Sequence, residues 1–159
     1  MRRLTDFNPK CGLTRLALRL PIWLYHARLG WLLGERFLLL THTGRMTRLP
    51  HQNVLEVIRH DRATGAFIVA SGWGERADWF RNIQETPEAV ITVKNRRVEV
   101  SAVHLSIREA ESELLDYARR HPIVFRYLAG LIMGSQANGI EETARSMSQS
   151  IPLVAFRPR

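Results

Sequence analysis

Residues 37–71 read FLLLTHTGRMTRLPHQNVLEVIRHDRATGAFIVAS, and this stretch decides the fold. Phe37 to Thr43 is a short apolar run closed by Gly44, the pattern of a buried strand. Gly44 to Pro50 is a polar turn, and Asn53 to Arg59 forms the next strand. The turn Asp61-Arg62-Ala63-Thr64-Gly65 closes that strand, and Ala66 to Ser71 pairs back as a hairpin. Strands joined by turns this short leave no room for crossover helices. An antiparallel sheet or barrel is therefore favoured over a doubly wound α/β sheet.

Downstream, Gly72-Trp73-Gly74 leads into a short helix, Asp78 to Gln84, with Pro87 after its end. Val90 to Lys94 and Val98 to Leu105 alternate as strands joined through Asn95-Arg96. Ser106 and Glu109 have the spacing of a capping box, which starts a helix running to about His121, before Pro122. Ile123 to Met133 is a second helical piece, Gly134 to Gly139 a loop, and a weak polar helix follows. Ile151 to Phe156 is the closing strand. Upstream, Leu13 to Leu33 predicts two short helices meeting at Pro21, with Ile22, Trp23, Leu29, Leu32 and Leu33 on one apolar face. The sum is one α+β domain over 1–159: about six mostly antiparallel strands, flanking helices and a helical N-terminal segment of about 1–36.

The net charge of +8 is unevenly placed. Residues 1–60 hold 10 Lys/Arg against 3 Asp/Glu, while the remaining 99 hold 13 against 12. Anionic partners are therefore to be sought at the front of the chain. Of the 23 basic residues 21 are arginine, which a GC-rich genome also produces, but a compositional bias does not create the asymmetry. No nucleic-acid-binding motif accompanies the charge, so a nucleic-acid partner is not expected. The one cysteine, Cys11, excludes an internal disulfide and a thiol-rich zinc site. The first residues lack the apolar core of a secretory signal. Nothing reaches the roughly 20 uncharged residues of a spanning helix, and a cytoplasmic location is expected.

Three segments could carry chemistry. Thr43-Gly44-Arg45-Met46-Thr47-Arg48 presents hydroxyls, a flexible backbone and guanidinium forks at a strand end, a set that suits a phosphate or carboxylate. A plain solvated turn has the same composition. Ala70-Ser71-Gly72-Trp73-Gly74 runs a strand into two glycines that let backbone approach a flat ligand, or it is a glycine turn with Trp73 as a lid. In Asp78-Trp79-Phe80-Arg81-Asn82-Ile83, Trp79 and Ile83 share a helix face with Asn82 one step round. That is either an aromatic wall with one amide or a helix burying its apolar face. No nucleophile elbow, phosphate-binding Walker loop or His-x-x-x-His pair is present, and no metal site is expected.

Taken in order, Leu39-Leu40-Thr41-His42-Thr43-Gly44-Arg45-Met46-Thr47, Asn53-Val54-Leu55, Val69-Ala70-Ser71-Gly72 and Asp78-Trp79-Phe80-Arg81-Asn82-Ile83 with Pro87 resemble the deazaflavin-dependent nitroreductase family. The resemblance covers about residues 37–105 and extends more loosely through Tyr117–Pro122 to the last strand. It implies a split β-barrel of the FMN-binding type and an enzyme using reduced coenzyme F420, with FMN as the alternative cofactor. The reaction implied is hydride transfer to a quinone, nitroaromatic or activated enone. Arg45 and Thr47, within the turn Gly44 to Arg48, would take the phosphate-bearing tail, and Asn53 and Leu55 would meet the ring or its linker. Ala70, Ser71 and Gly72 would pass beneath the ring, while Trp79 and Asn82 would close the pocket. Acceptor protonation would come from His121, Tyr127 or bulk water. The chain departs from the family where it has Met46 in place of a basic residue and Gly72 in place of a frequent lysine. Arg48 stands near enough to supply one charge.

Two rival readings use the same residues. One is a non-catalytic barrel that binds a fatty acid, heme or ordinary flavin among its tryptophans. The other is a peripheral membrane contact through Arg15 to Arg36, an amphipathic segment with Trp23 and Trp31. It competes with an ordinary helix covering the barrel. The sequence does not mark an oligomer interface.

Overall fold

Lys94 and Asn95 both adopt positive φ, 54° and 87°, which is the backbone of a two-residue hairpin whose twist matches that of its strands. This places the turn one residue earlier than the sequence suggests. Arg96 already pairs with Val93. The second tight connection is held by Asp61, whose Oδ1 accepts from the amides of Ala63 and Thr64 at 3.0 and 3.4 Å. Gly65 supplies the left-handed residue there, φ 72°.

The computed structural model describes residue 22 and residues 24–134 and 139–159. Its strands are β1 (Phe37–Thr43), β2 (Pro50–Asp61), β3 (Ala66–Ala70), β4 (Glu88–Val93), β5 (Arg96–His104) and β6 (Leu153–Pro158). All pair antiparallel and close into a barrel in the order β1-β2-β3-β6-β5-β4. Between β3 and β4 lies helix α1 (Asp78–Glu85), and after β5 come α2 (Ile107–Arg120), α3 (Pro122–Met133) and α4 (Ile140–Ser150). β2 starts at Pro50, earlier than Asn53, because a proline is tolerated at the first position of a strand.

Alternation along the strands builds two cores. Leu38, Leu40, Phe67, Val69, Ile91, Val100, Val154 and Phe156 fill the barrel interior. Ile68, Leu153 and Ala155, one step out of phase, pack outward with Leu114, Tyr117, Phe125 and Met147 of the helical layer. β3 and β6 are thus buried on both faces, which is why each reads as a continuous apolar run. α1 drives Trp79, Phe80 and Ile83 into one end of the barrel as a plug. On the outside, Arg59 makes a bidentate pair with Glu113 of α2, both contacts 2.8 Å. The capping box is present in full, with Ser106 Oγ accepting from the Glu109 amide and Glu109 Oε2 from the Ser106 amide.

The N-terminal expectation is only partly addressed, since Leu13–Pro21 and Trp23 lie outside the described residues. Where Ile22–Leu33 were expected to continue as one helix, residues 24–26 are helical and a separate 3-10 turn covers Gly30–Leu33. The break is at Arg28, φ 59°, whose carbonyl accepts from Asn95 Nδ2 at 2.8 Å. Gly30 lies so close to the Tyr25 ring that a Cβ there would stand 2.6 Å from it. Trp31 and Leu32 are consequently exposed rather than laid on the barrel.

Candidate functional site

The Gly44–Arg48 turn closes on itself: the Gly44 amide donates to Leu49 O and the Arg48 amide to Gly44 O, at 2.8 and 2.9 Å. Only glycine fits at its start, because a Cβ would lie 2.6 Å from the His51 ring. Thr47 Oγ1 is engaged by His51 Nε2 at 3.1 Å and accepts from the Leu49 amide. Met46 stands 86% exposed at the tip.

Arg45 is directed from this turn onto α1. Its backbone amide and its Nη1 both donate to Asn82 Oδ1, at 3.1 and 2.9 Å. Its Nη2 meets Asp78 Oδ1 at 3.0 Å. Asn82 Nδ2 in turn faces His42 Nδ1 at 3.2 Å, and His42 Nε2 faces Asn53 Oδ1 at 2.9 Å. His42 is buried, and burial lowers its pKa from the ordinary histidine value, against a smaller raising effect from the Asn53 hydrogen bond. His51 stacks on it with ring centroids 6.0 Å apart. These groups surround a cavity of about 390 Å³.

A second, wider groove of about 1050 Å³ adjoins it, and Asp78 borders both. One wall is Gly72 to Ala77; the other is Ser148 to Pro152, with His104 and Ile107 at the side. Ser71 builds the first wall from below. It is fully buried, its Oγ donates to Gly74 O at 2.7 Å, and its amide donates to Pro152 O at 3.0 Å. Above it, a Cβ on Gly72 would meet no atom within 4 Å, so the backbone faces open space. Trp73 presents its ring 66% exposed.

Of the residues singled out from the sequence, Gly44, Arg45, Met46, Thr47, Asn53 and Asn82 line the smaller cavity and Gly72 and Trp73 the groove. Thr43 faces a neighbouring cleft with Glu88, Glu99 and Arg159. Arg48, φ 57°, reaches Glu85 of α1 at 3.5 Å. Leu55 and Trp79 pack in the barrel interior and Ala70 against the helical layer. Trp79 is thus a core residue, the burial alternative of its helix spacing, because α1 must fill the barrel end. His121 and Tyr127 are exposed on the helical layer, where His121 caps α2, and neither lines either cavity. Sequence reasoning missed His42, His51, Asp78 and His104 as site residues. The signal for His42 is present: it keeps the inward phase of Leu38 and Leu40. Asp78 stands one helical turn before Asn82. Among the described residues no group of three or more His, Cys, Asp or Glu side chains could hold a metal ion, and no helix is long and apolar enough to cross a membrane.

Among solved structures the chain resembles an F420-H2 dependent reductase at 14% identity, TM-score 0.53, over 78% of this chain and 96% of that one. It also resembles a conserved hypothetical protein of Mycobacterium tuberculosis at 13% identity, TM-score 0.56, over 84% and 79%. A pyridoxamine 5'-phosphate oxidase-related, FMN-binding protein of Nostoc punctiforme matches at 16% identity, TM-score 0.53, over 94% and 82%. At these identities the likeness shows the fold, a split barrel. No curated protein matches the chain. The family model of F420H(2)-dependent quinone reductases matches residues 22–126, about two thirds of the sequence. The chain therefore belongs to the F420H(2)-dependent quinone reductase family, a family of oxidoreductases.

Proposed function

We propose that this enzyme reduces an electron-poor acceptor, a quinone first, with a hydride from reduced coenzyme F420 whose anionic tail lies at Arg45 and whose ring lies beside Gly72. The observation that carries the reading is that Asp78 borders both cavities, with a guanidinium lining one and open glycine backbone the other. The residues present fit such a group. The groove is at the upper end of the usual size for ligand sites, and Gly72 has room for a flat ring against it. The Arg45 side chain, 24% exposed, still presents an edge to an anion.

When bound, the reduced deazaflavin supplies two electrons at once as a hydride; the protein's part is binding and orientation. Arg45, fixed by Asn82, offers a guanidinium whose position is set before the anion arrives, which lowers the ordering cost of binding. Ser71 holds the turn that aims the Gly72 backbone into the groove. Trp73 provides an apolar face that excludes water from one side of a planar ligand. Nitroaromatics and activated enones are further acceptors of the same electron demand, and FMN is the alternative cofactor.

Following the loss of reduced-deazaflavin signal with a water-soluble quinone tests this directly. Turnover that disappears in Gly72→Leu supports the reading. Absence of turnover beside a co-purified fatty acid, heme or FMN favours the non-catalytic binder instead. A peripheral membrane contact is compatible with either reading, through Trp31 and Leu32 with Arg28 and Arg36 beside them. That segment leads into the start of β1, however, whereas the site gathers at the strand's other end. Such docking would hold the site away from the lipid.

A further inference from the structure

We infer that His42 is the positioning residue for Arg45, acting through Asn82, and that protonating its ring releases Arg45. The consequence for cofactor binding rests on the proposed function; the clamp itself rests on geometry.

The direction of every hydrogen bond follows from Arg45. A backbone amide and a guanidinium only donate, so the Asn82 atom they share at 3.1 and 2.9 Å must be the carbonyl oxygen. The other end of that amide is then NH2, a donor, so His42 Nδ1 at 3.2 Å must accept. A neutral ring that accepts at Nδ1 carries its proton on Nε2 and donates it to Asn53 Oδ1 at 2.9 Å. One tautomer satisfies the whole chain from Arg45 to Asn53, and none of its buried side-chain polar atoms is left without a partner. An imidazolium would set an N–H against the Asn82 NH2, with the Thr43 backbone the other polar group at the ring. Asn82 must then turn or withdraw, and Arg45 loses the oxygen that holds both its amide and its Nη1.

The charged and titratable groups around the ring come from every neighbouring element. His51 stacks on it from β2, Asp78 approaches from α1 and Arg45 from the turn. Glu88 of β4, Glu99 of β5 and the C-terminal Arg159 share the cleft on its other side. Burial lowers the ring's pKa from the ordinary histidine value. The clamp therefore holds at neutral pH and opens on acidification. This sign separates positioning from simple charge. A histidine acting as a nearby cation would strengthen anion binding on acidification, whereas a histidine holding Arg45 in place weakens it.

The test is nitrogen NMR of the imidazole rings together with hydrogen exchange of the Arg45 amide, in wild type, His42→Gln and His42→Leu. Glutamine offers an acceptor and a donor and does not titrate; leucine offers neither and serves as the severe case. Expected are an Nε2–H ring at neutral pH and an Arg45 amide whose protection drops up to about tenfold on acidification, the scale of one neutral hydrogen bond. Protection in His42→Gln should not change with pH. An Nδ1–H ring at neutral pH, or Arg45 protection indifferent to acid in wild type, would overturn the inference even if His42→Leu fails to fold. Calorimetric titration with oxidised deazaflavin at two pH values keeps the two claims apart. No binding at either pH, with the expected tautomer and protection, leaves the clamp standing and removes the cofactor reading. Binding that strengthens in acid in wild type and not in His42→Gln assigns His42 a charge role and sinks the positioning one.

Discussion

The two ends of the barrel carry similar residue types and use them in opposite ways. Where β1 finishes and α1 enters, His42 and Asn82 are buried, Arg45 and Asn53 half-buried, and the four are bonded in one chain, Arg45 to Asn82 to His42 to Asn53. Where β1 begins, Glu35 gathers Arg62, Lys94 and His60 at 2.8, 3.2 and 3.4 Å, but Arg62 and Lys94 are mostly solvated. The difference is one of burial and direction. Buried, directional bonds hold a geometry, whereas exposed ion pairs between long side chains contribute about 0–1 kcal/mol and are screened by salt.

The most forceful way to break the contrast is to remove the plug beneath the polar chain. Phe80 is fully buried, and its ring meets that of His104 edge-on at 5.3 Å between centroids. Phe80→Ala is expected to cost about 3–5 kcal/mol in urea or thermal unfolding, the range for a truncated core aromatic. A loss below about 1 kcal/mol would mean that α1 does not fill the barrel end as described.

A sharper probe leaves the fold alone. Gly72→Leu places a side chain where nothing lies within 4 Å, so unfolding should shift by no more than about 0.5 kcal/mol, as for surface changes. Deazaflavin affinity should nevertheless fall by at least about tenfold, equivalent to 1.4 kcal/mol. Equal affinity in wild type and variant would place the ring elsewhere.

The smallest effect belongs to the other end. Hydrogen bonds from Lys94 and then His60 hold the Glu35 carboxyl below the usual carboxylate range. A depressed folded pKa adds stability that is complete above the unfolded value and disappears as pH falls through the folded one. Glu35→Gln should therefore cost under about 1 kcal/mol at neutral pH, nothing in strong acid, and less in high salt. A loss that persists in high salt would show a buried role that the exposure of its partners does not suggest.

Much of the fold is legible in the sequence because each strand announces itself locally. β4 and β5 alternate, while β3 and β6, covered on both faces, read as short apolar runs. The misread places are those where a distant partner decides. The break at Arg28 depends on Asn95, far along the chain. The hairpin turn falls on Lys94 because that residue takes positive φ, which its side chain does not advertise. In the site, the tight Gly44 turn and Asn82 are readable as features, but their bond through Arg45 spans 37 positions. His121 and Tyr127 stand out in the sequence as polar groups near the C-terminal helices, and only the packing of those helices places them outside both cavities.

The functional reading depends on a deazaflavin lying at the Arg45–Gly72 end. Fluorescence titration of the purified protein with oxidised coenzyme F420, beside a parallel titration with FMN, measures it most directly. Saturable deazaflavin binding at micromolar strength or tighter, weakened in both Arg45→Leu and Gly72→Leu, is the expected result. Clear binding of FMN or of another ligand without any of the deazaflavin would contradict it. The exposed Met46 and the bare Gly72 would then mark a barrel turned to a different ligand.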